Sequence, residues 1–236
     1  QKTEGGFWLI NKALGTVPAN DYVMGFLPAG CHFDANNNHT NGLMLGLGAG
    51  AGVIALLENF NKLQLTVVEI DQALIAISLK YFPKLNEFIS SNRLQIICQD
   101  AFEFIQKPEK EYDFTLVDLY KGEAAPNDSI TQTSFVSALA KSASLIGINL
   151  FKPPSWSNYQ QFLKAMKNNG LKLSTCFPTG TRGYEDVPYQ NRVVYSKKFE
   201  NLLEFIPYMS EEFHFLHRSY RRDFTNMVMR SESIYP

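Results

Sequence analysis

The stretch Gly46-Leu47-Gly48-Ala49-Gly50-Ala51-Gly52 places a glycine at every second position between an apolar run at 42–47 and a helical pattern at 53–60. Missing β-carbons let a backbone turn sharply and approach a ligand closely. A helix that begins just after the turn presents free N–H donors to an anionic group. By itself such a turn serves tight helix-to-strand packing equally well. Glu69 narrows the choice, because it ends the next β-rich run about 20 residues further on, where a carboxylate accepts two hydrogen bonds from a ribose diol. Together the turn and the acid point to an adenosine-containing cofactor.

The surrounding chain supplies the frame that this reading needs. β-Rich runs at 42–47, 65–70, 94–98 and 113–118 alternate with helical patterns at 53–60, 73–81 and 101–105, the order expected of a parallel sheet flanked by helices. The pattern at 73–81 stops near Pro83. A helix at 133–142, a fifth strand at 144–151 and a helix at 158–168 follow, the last closed by Asn169-Gly170, a favourable helix stop. Runs at 171–177 and 191–196, joined by a loop rich in Gly, Pro and Tyr, read as an edge hairpin. The expected fold is α/β: a Rossmann-like, doubly wound, mostly parallel seven-stranded sheet with an antiparallel edge hairpin. Residues 1–41 read as an N-terminal extension with a loop at Asn36-Asn37-Asn38, 42–198 as the cofactor-binding domain, and 199–236 as a helical appendage. In that appendage Ser-Glu-Glu from Ser210 precedes apolar Phe213, Leu216, Tyr220, Phe224 and Met227, the pattern of an amphipathic helix with acids at its positive end.

Composition removes other classes. Of 236 residues, 45% are hydrophobic and 19% charged, an ordinary globular balance that excludes wholesale disorder and fibrous architecture. The formal charge of −1 supplies no global field toward nucleic acid or an anionic membrane, so nucleic acid is not an expected partner. No apolar run approaches the length of about 18 residues that a membrane span requires, and Glu4 stands where a signal peptide would begin with basic residues. Cys31, Cys98 and Cys176 are scattered and lack C-x-x-C spacing, which argues against a disulfide framework and against a zinc cluster. The expectation is a cytoplasmic protein without a metal, and a homodimer is left open.

Two further carboxylates fall at strand ends. Asp100-Ala101 follows the third strand, where the aspartate can accept from an adenine amino group while a backbone N–H meets the ring; Asp before Ala-Phe-Glu is also a good helix N-cap. Asp118 ends the fourth strand, beside the crevice where open α/β sheets bind ligands, and can face the amino or sulfonium end of one. Tyr120 and Lys121 come next, either of which can line an acceptor pocket; Tyr120 serves equally as a packing aromatic. His214, His217, Arg218, Arg221 and Arg222 read as a solvated helix face, His39 as a loop residue, and the polar loop at 180–186 as a connection.

Taken together these residues resemble the class I S-adenosylmethionine-dependent transferases, and within them the spermidine synthase-like branch. The likeness runs from Gly42 to Ser196. It is carried by Leu43-Met44-Leu45-Gly46-Leu47-Gly48-Ala49-Gly50, Val67-Val68-Glu69-Ile70-Asp71, Gln99-Asp100-Ala101-Phe102 and Tyr112-Asp113-Phe114-Thr115-Leu116-Val117-Asp118, with Ile148-Asn149-Leu150-Phe151 and Asn191-Arg192-Val193-Val194-Tyr195 similar to the late strands. The resemblance implies that Glu69 binds ribose, Asp100 adenine, and the turn through Gly46, Gly48 and Gly50 the methionine moiety. Asp71, Ala101 and Asp118 complete the expected cofactor-binding set.

The departures steer the expected reaction. Aminopropyltransferases of that branch carry an acid in the glycine turn, where this chain has Ala49, and an Asp-Ser-Ser-Asp-Pro-like run where it has Asp118-Leu119-Tyr120-Lys121-Gly122. A lysine there is cationic at neutral pH and does not hold a polyamine. Methyl transfer demands less, mainly alignment of a nucleophile with the methyl carbon. The reading is therefore methyl transfer from S-adenosylmethionine to a small-molecule acceptor, with Asp118 and Tyr120 as catalytic residues. Aminopropyl transfer from decarboxylated S-adenosylmethionine, NAD-linked oxidoreduction on the same turn, and a catalytically silent cofactor-binding module are the alternatives.

Overall fold

The computed structural model describes residues 21–34, 39–108, 110–120, 128–152, 159–179, 190–199 and 232–234. Its strands are β1 (Thr40–Leu45), β2 (Leu63–Glu69), β3 (Leu94–Cys98), β4 (Tyr112–Val117), β5 (Ala143–Lys152), β6 (Thr175–Thr179), β7 (Gln190–Tyr195) and β8 (Glu232–Ser233). The helices are α1 (Asp21–Met24), α2 (Leu27–Asp34), α3 (Ala51–Asn59), α4 (Gln72–Tyr81), α5 (Pro83–Ser90), α6 (Ala101–Phe104), α7 (Thr133–Ser142) and α8 (Tyr159–Asn168). They form one sheet in the order β3-β2-β1-β4-β5-β7-β6-β8. The pairs β2–β3, β1–β2, β1–β4 and β4–β5 are parallel, and β5–β7, β6–β7 and β6–β8 are antiparallel.

The parallel strands are buried on both faces, which is why they read as near-continuous apolar runs rather than alternating ones. Met44, Leu65, Val67, Phe114 and Leu116 face α1 to α5. Leu43, Leu45, Val68, Val117, Ile146 and Ile148 face α6 to α8 on the other side. Each strand thus contributes to two cores with a period of two, and a one-residue slip in register would exchange them.

α4 stops at Tyr81, near Pro83, as expected. Two features go beyond the expectation, the helix α5 and an eighth strand. Pro83 occupies the first turn of α5, where its missing N–H would have no partner in any case. Phe82 closes α4 by donating to the Ser78 carbonyl, and Leu85 and Phe88 bury the new helix against the first core. The late hairpin stands antiparallel at this end of the sheet, as expected. The crossover from β5 through α8 to β6 skips one position, and β7 returns antiparallel into it, so β7 is interior. The sheet also has eight strands rather than seven, because the two residues of β8 pair with Thr175 and Cys176 of β6. The amphipathic helix expected from Ser210 onward, the Asn36-Asn37-Asn38 loop and the polar loop at 180–186 lie outside the described residues.

Residues ahead of β1 join the same packing. Val23, Phe26, Leu27, Ala29 and Cys31 of the α1–α2 segment are buried in the first core. The hydroxyl of fully buried Tyr195 donates to the Gly25 carbonyl at 2.7 Å, with the Phe26 carbonyl at 3.3 Å, and so ties this segment to β7. Burial pushes the Tyr195 phenol well above its ordinary value, with Cys31 adding to the shift and a backbone bond to Ala29 opposing it. Tyr195→Phe leaves the Gly25 carbonyl buried without its donor and is expected to destabilise the fold by about 1–2 kcal/mol. Urea unfolding read by far-UV and near-UV circular dichroism checks this, and an unchanged midpoint would remove the strap from the account of the fold.

Candidate active site

Strand order reverses between β1 and β4: the chain leaves β1 toward β2 on one side, while β4 lies on the other. Connections after β1 and β4 therefore depart to opposite faces and open a crevice at the carboxyl ends of the strands. The register brings the ends level. Leu45 pairs with Val68 and with Val117, Val117 with Ile148, and Glu69 with Cys98. Gly46, Glu69, Asp118 and Asn149 consequently stand along one edge, with Asp100 just beyond β3.

Main-chain bonds lock the β1 exit. Gly46 N–H donates to the Val68 carbonyl at 2.8 Å, and Asp118 N–H donates to the Leu45 carbonyl at 2.8 Å. Gly46 has φ 98°, and a β-carbon there would lie 2.4 Å from the Asp118 carbonyl oxygen. Only glycine satisfies both demands. Gly48 is different: its φ is 52°, it is exposed, and a β-carbon would meet nothing within 4 Å. Its open side faces space rather than protein. Gly50 immediately precedes α3 and packs on Leu85.

The carboxylates surround this turn. Glu69 accepts from Leu47 N–H through Oε2 and from Asp71 N–H through Oε1, both at 3.0 Å. Two backbone donors thereby fix the carboxylate plane, and each oxygen retains capacity to accept again. Asp71 Oδ1 takes the Ala73 and Leu74 N–H groups at 2.8 and 3.2 Å and caps α4. Asp100 Oδ1 takes the Phe102 N–H at 2.6 Å and caps α6, whose first residue Ala101 is buried. The donor set fits an adenosyl group: a pinned acid for a diol, a capping acid with an adjacent backbone for a base, and an open glycine turn.

Asp118 is partly buried and accepts from Asn149 Nδ2 at 2.8 Å through Oδ1. Burial pushes its carboxyl from the ordinary 3.8 up to about 6; the Asn149 bond opposes the shift and the Glu69 charge adds to it. Tyr120, 36% exposed, donates its hydroxyl to the Asn149 main-chain carbonyl at 3.1 Å. Lys121 lies outside the described residues. Asn149 is the buried polar neighbour of Asp118 to which the sequence reading gave no role, although a polar side chain inside the apolar run 145–150 was a visible signal. Among the described residues no group of His, Cys, Asp and Glu is placed to hold a metal ion, and no helix is long and apolar enough to cross a membrane.

A family model, the spermine/spermidine synthase domain, matches residues 31–173, more than half of the chain. The chain belongs to this family. Its sequence is 25% identical over 177 residues to a polyamine aminopropyltransferase of Clostridium botulinum, covering 75% of this chain and 61% of that protein. The chain thus spans about six tenths of the length of the curated relatives it matches. The fold is shared with a probable spermidine synthase of Corynebacterium glutamicum (TM-score 0.65, 16% identity, 93% of this chain and 76% of that one). It is also shared with human methyltransferase-like protein 13 in complex with SAH (TM-score 0.61, 15% identity, 88% and 93%).

Family membership and the named relatives overturn methyl transfer as the reading of this site. That expectation rested on Ala49 in the glycine turn and on the altered run Asp118-Leu119-Tyr120-Lys121-Gly122 after β4. At the same edge, burial and the Glu69 charge raise the Asp118 carboxyl.

Two predictions follow from this geometry. Gly46→Ala must displace the Asp118 backbone and is expected to cost about 2–3 kcal/mol in chemical unfolding, whereas Gly48→Ala should cost only about 1 kcal/mol for its positive φ while weakening ligand binding. Equal stability losses would contradict the assignment of different roles. For Asp118 the folded state binds a proton more readily than the unfolded one between pH 3.8 and about 6, so stability falls as pH rises through that window. Asp118→Asn removes the term and should gain about 1 kcal/mol over wild type at pH 7 and nothing at pH 3.5. Unfolding series at both pH values check the sign.

Proposed function

We propose that the site transfers an aminopropyl group from decarboxylated S-adenosylmethionine to a small-molecule amine. The observation that carries this reading is the raised Asp118 carboxyl at the strand-order reversal, beside Glu69. Such a carboxylate is ionised at neutral pH, attracts a cationic amine, and is a stronger proton acceptor than an ordinary aspartate. The family match and the name of the clostridial relative support the same reaction class.

In this reading the acceptor nitrogen forms a bond to the propyl carbon as the carbon–sulfur bond breaks. The electron pair goes to sulfur, which leaves as a neutral thioether, and the amine proton passes to Asp118. The sulfonium of the donor supplies the leaving group; the chain supplies alignment and charge. Glu69 would take the ribose diol, Asp100 and Ala101 the adenine, and the turn at Gly46, Gly48 and Gly50 the aminopropyl end, while Asp71 keeps α4 capped. Ala49 contributes no carboxylate to the turn, so the preference for a cationic donor falls to Glu69 and Asp118. Tyr120, at the crevice rim, would border the acceptor.

The test is calorimetric titration with decarboxylated and intact S-adenosylmethionine, followed by an assay for methylthioadenosine with diamine acceptors. The decarboxylated donor is expected to bind more tightly, and methylthioadenosine to appear in equal amount to the aminopropylated amine. Glu69→Gln should weaken donor binding by about tenfold or more through loss of a charged acceptor. Tighter binding of the intact cofactor, with no methylthioadenosine released, would overturn the proposal.

A further inference from the structure

Asn149 lies in the interior of the sheet, where its main chain pairs with Val193 on one side and its neighbour Ile148 with Val117 on the other. Its side chain is 3% exposed. Its Nδ2 donates to Asp118 Oδ1 at 2.8 Å, while its own Oδ1 is buried and accepts nothing from the described residues. An orphaned buried acceptor is unfavourable, so some stronger demand sets the orientation of this amide. Turning it over would place its oxygen against the Asp118 carboxylate, acceptor against acceptor. The charge on Asp118 therefore decides which way the amide points. The Tyr120 hydroxyl, bonded to the Asn149 carbonyl, braces the same residue from the rim.

We propose that Asn149 is a positioning residue: its amide holds Oδ1 of Asp118 in one orientation and leaves Oδ2 as the oxygen that meets the reacting amine. Oδ2 takes no hydrogen bond from the described residues. The role in transfer rests on the function proposed above, whereas the link between Asn149 and the Asp118 proton does not. A donor to the ionised form favours ionisation, so the bond holds the carboxyl below where burial and Glu69 alone would put it.

The test reads Asp118 directly. The carbon-13 carboxyl resonance of Asp118, identified by its loss in Asp118→Asn, is titrated in wild type, Asn149→Leu and Asn149→Gln without donor or acceptor. Wild type should titrate near 6, Asn149→Leu about one unit higher, and Asn149→Gln closer to wild type because it restores the amide. In the transfer assay the acid limb of the kcat/KM profile should move upward with the resonance. There kcat should fall by about tenfold while donor affinity stays within about twofold. If Asn149→Leu does not fold, Asn149→Ser removes the amide from the same place and carries the same expectation. A folded variant whose Asp118 titration is unmoved overturns the positioning role, whatever its activity. A moved titration in a protein whose wild type shows no aminopropyl transfer upholds the Asn149–Asp118 link and rejects the reaction.

Discussion

The approach of Gly46 to the Asp118 carbonyl is the contact on which the site depends. β1 has a parallel neighbour on each side, so the chain leaving it must climb over one of them. It leaves toward β2, and where it passes the Asp118 carbonyl at the end of β4 there is no room for a β-carbon. The bonds from Gly46 to Val68 and from Asp118 to Leu45 hold both flanks while it does so. Having passed that point, the turn presents the Leu47 N–H to Glu69, and the acid at the end of β2 becomes fixed to the loop after β1. The fold closes and the carboxylates gather through the same few atoms.

Much of this was legible in the residue pattern because parallel strands buried on both faces leave long apolar runs, and because Glu69 stands about 20 residues beyond the glycine turn. The α7 helix agrees end for end with its pattern, since Phe135, Val136 and Leu139 make a single buried stripe. The helix stop near Pro83 was legible, but the helix that Pro83 starts was not: a proline that stops one helix and one that starts the next look alike in sequence, and only the burial of Leu85 and Phe88 reveals α5. The place of β7 was not readable either. Local pattern reports that two runs are strands, whereas the decision to return inside β6 belongs to the crossover that precedes it. β8 has two residues, too few to leave any periodicity.

The chemistry was harder to read than the fold for a related reason. The residue type of a carboxylate is in the sequence, but its proton affinity is not. Asp118 looks like any strand-terminal aspartate until the register of β4 and β5 sets it beside Asn149 and the β1 exit sets it near Glu69. Comparison of motifs counts the acids that are missing, such as the one replaced by Ala49, and gives no weight to an acid strengthened in place. That asymmetry produced the expectation of methyl transfer.

The same arrangement works against stability in a definite way. A partly buried carboxyl near 6, a neighbouring glutamate of like charge, and an amide oxygen with no donor among the described residues are each unfavourable. They sit together at one edge of a sheet whose two faces are otherwise filled by apolar cores. Structures tolerate such groups where the surrounding elements over-determine their positions, and here the parallel register, the Gly46 turn and the Tyr120 brace do so. A cationic ligand would relieve the charge repulsion, and an N–H donor would satisfy the amide oxygen. The unfavourable terms at this edge thus share one remedy, an amine, and this is the chemical class that the aminopropyl reading assigns to it.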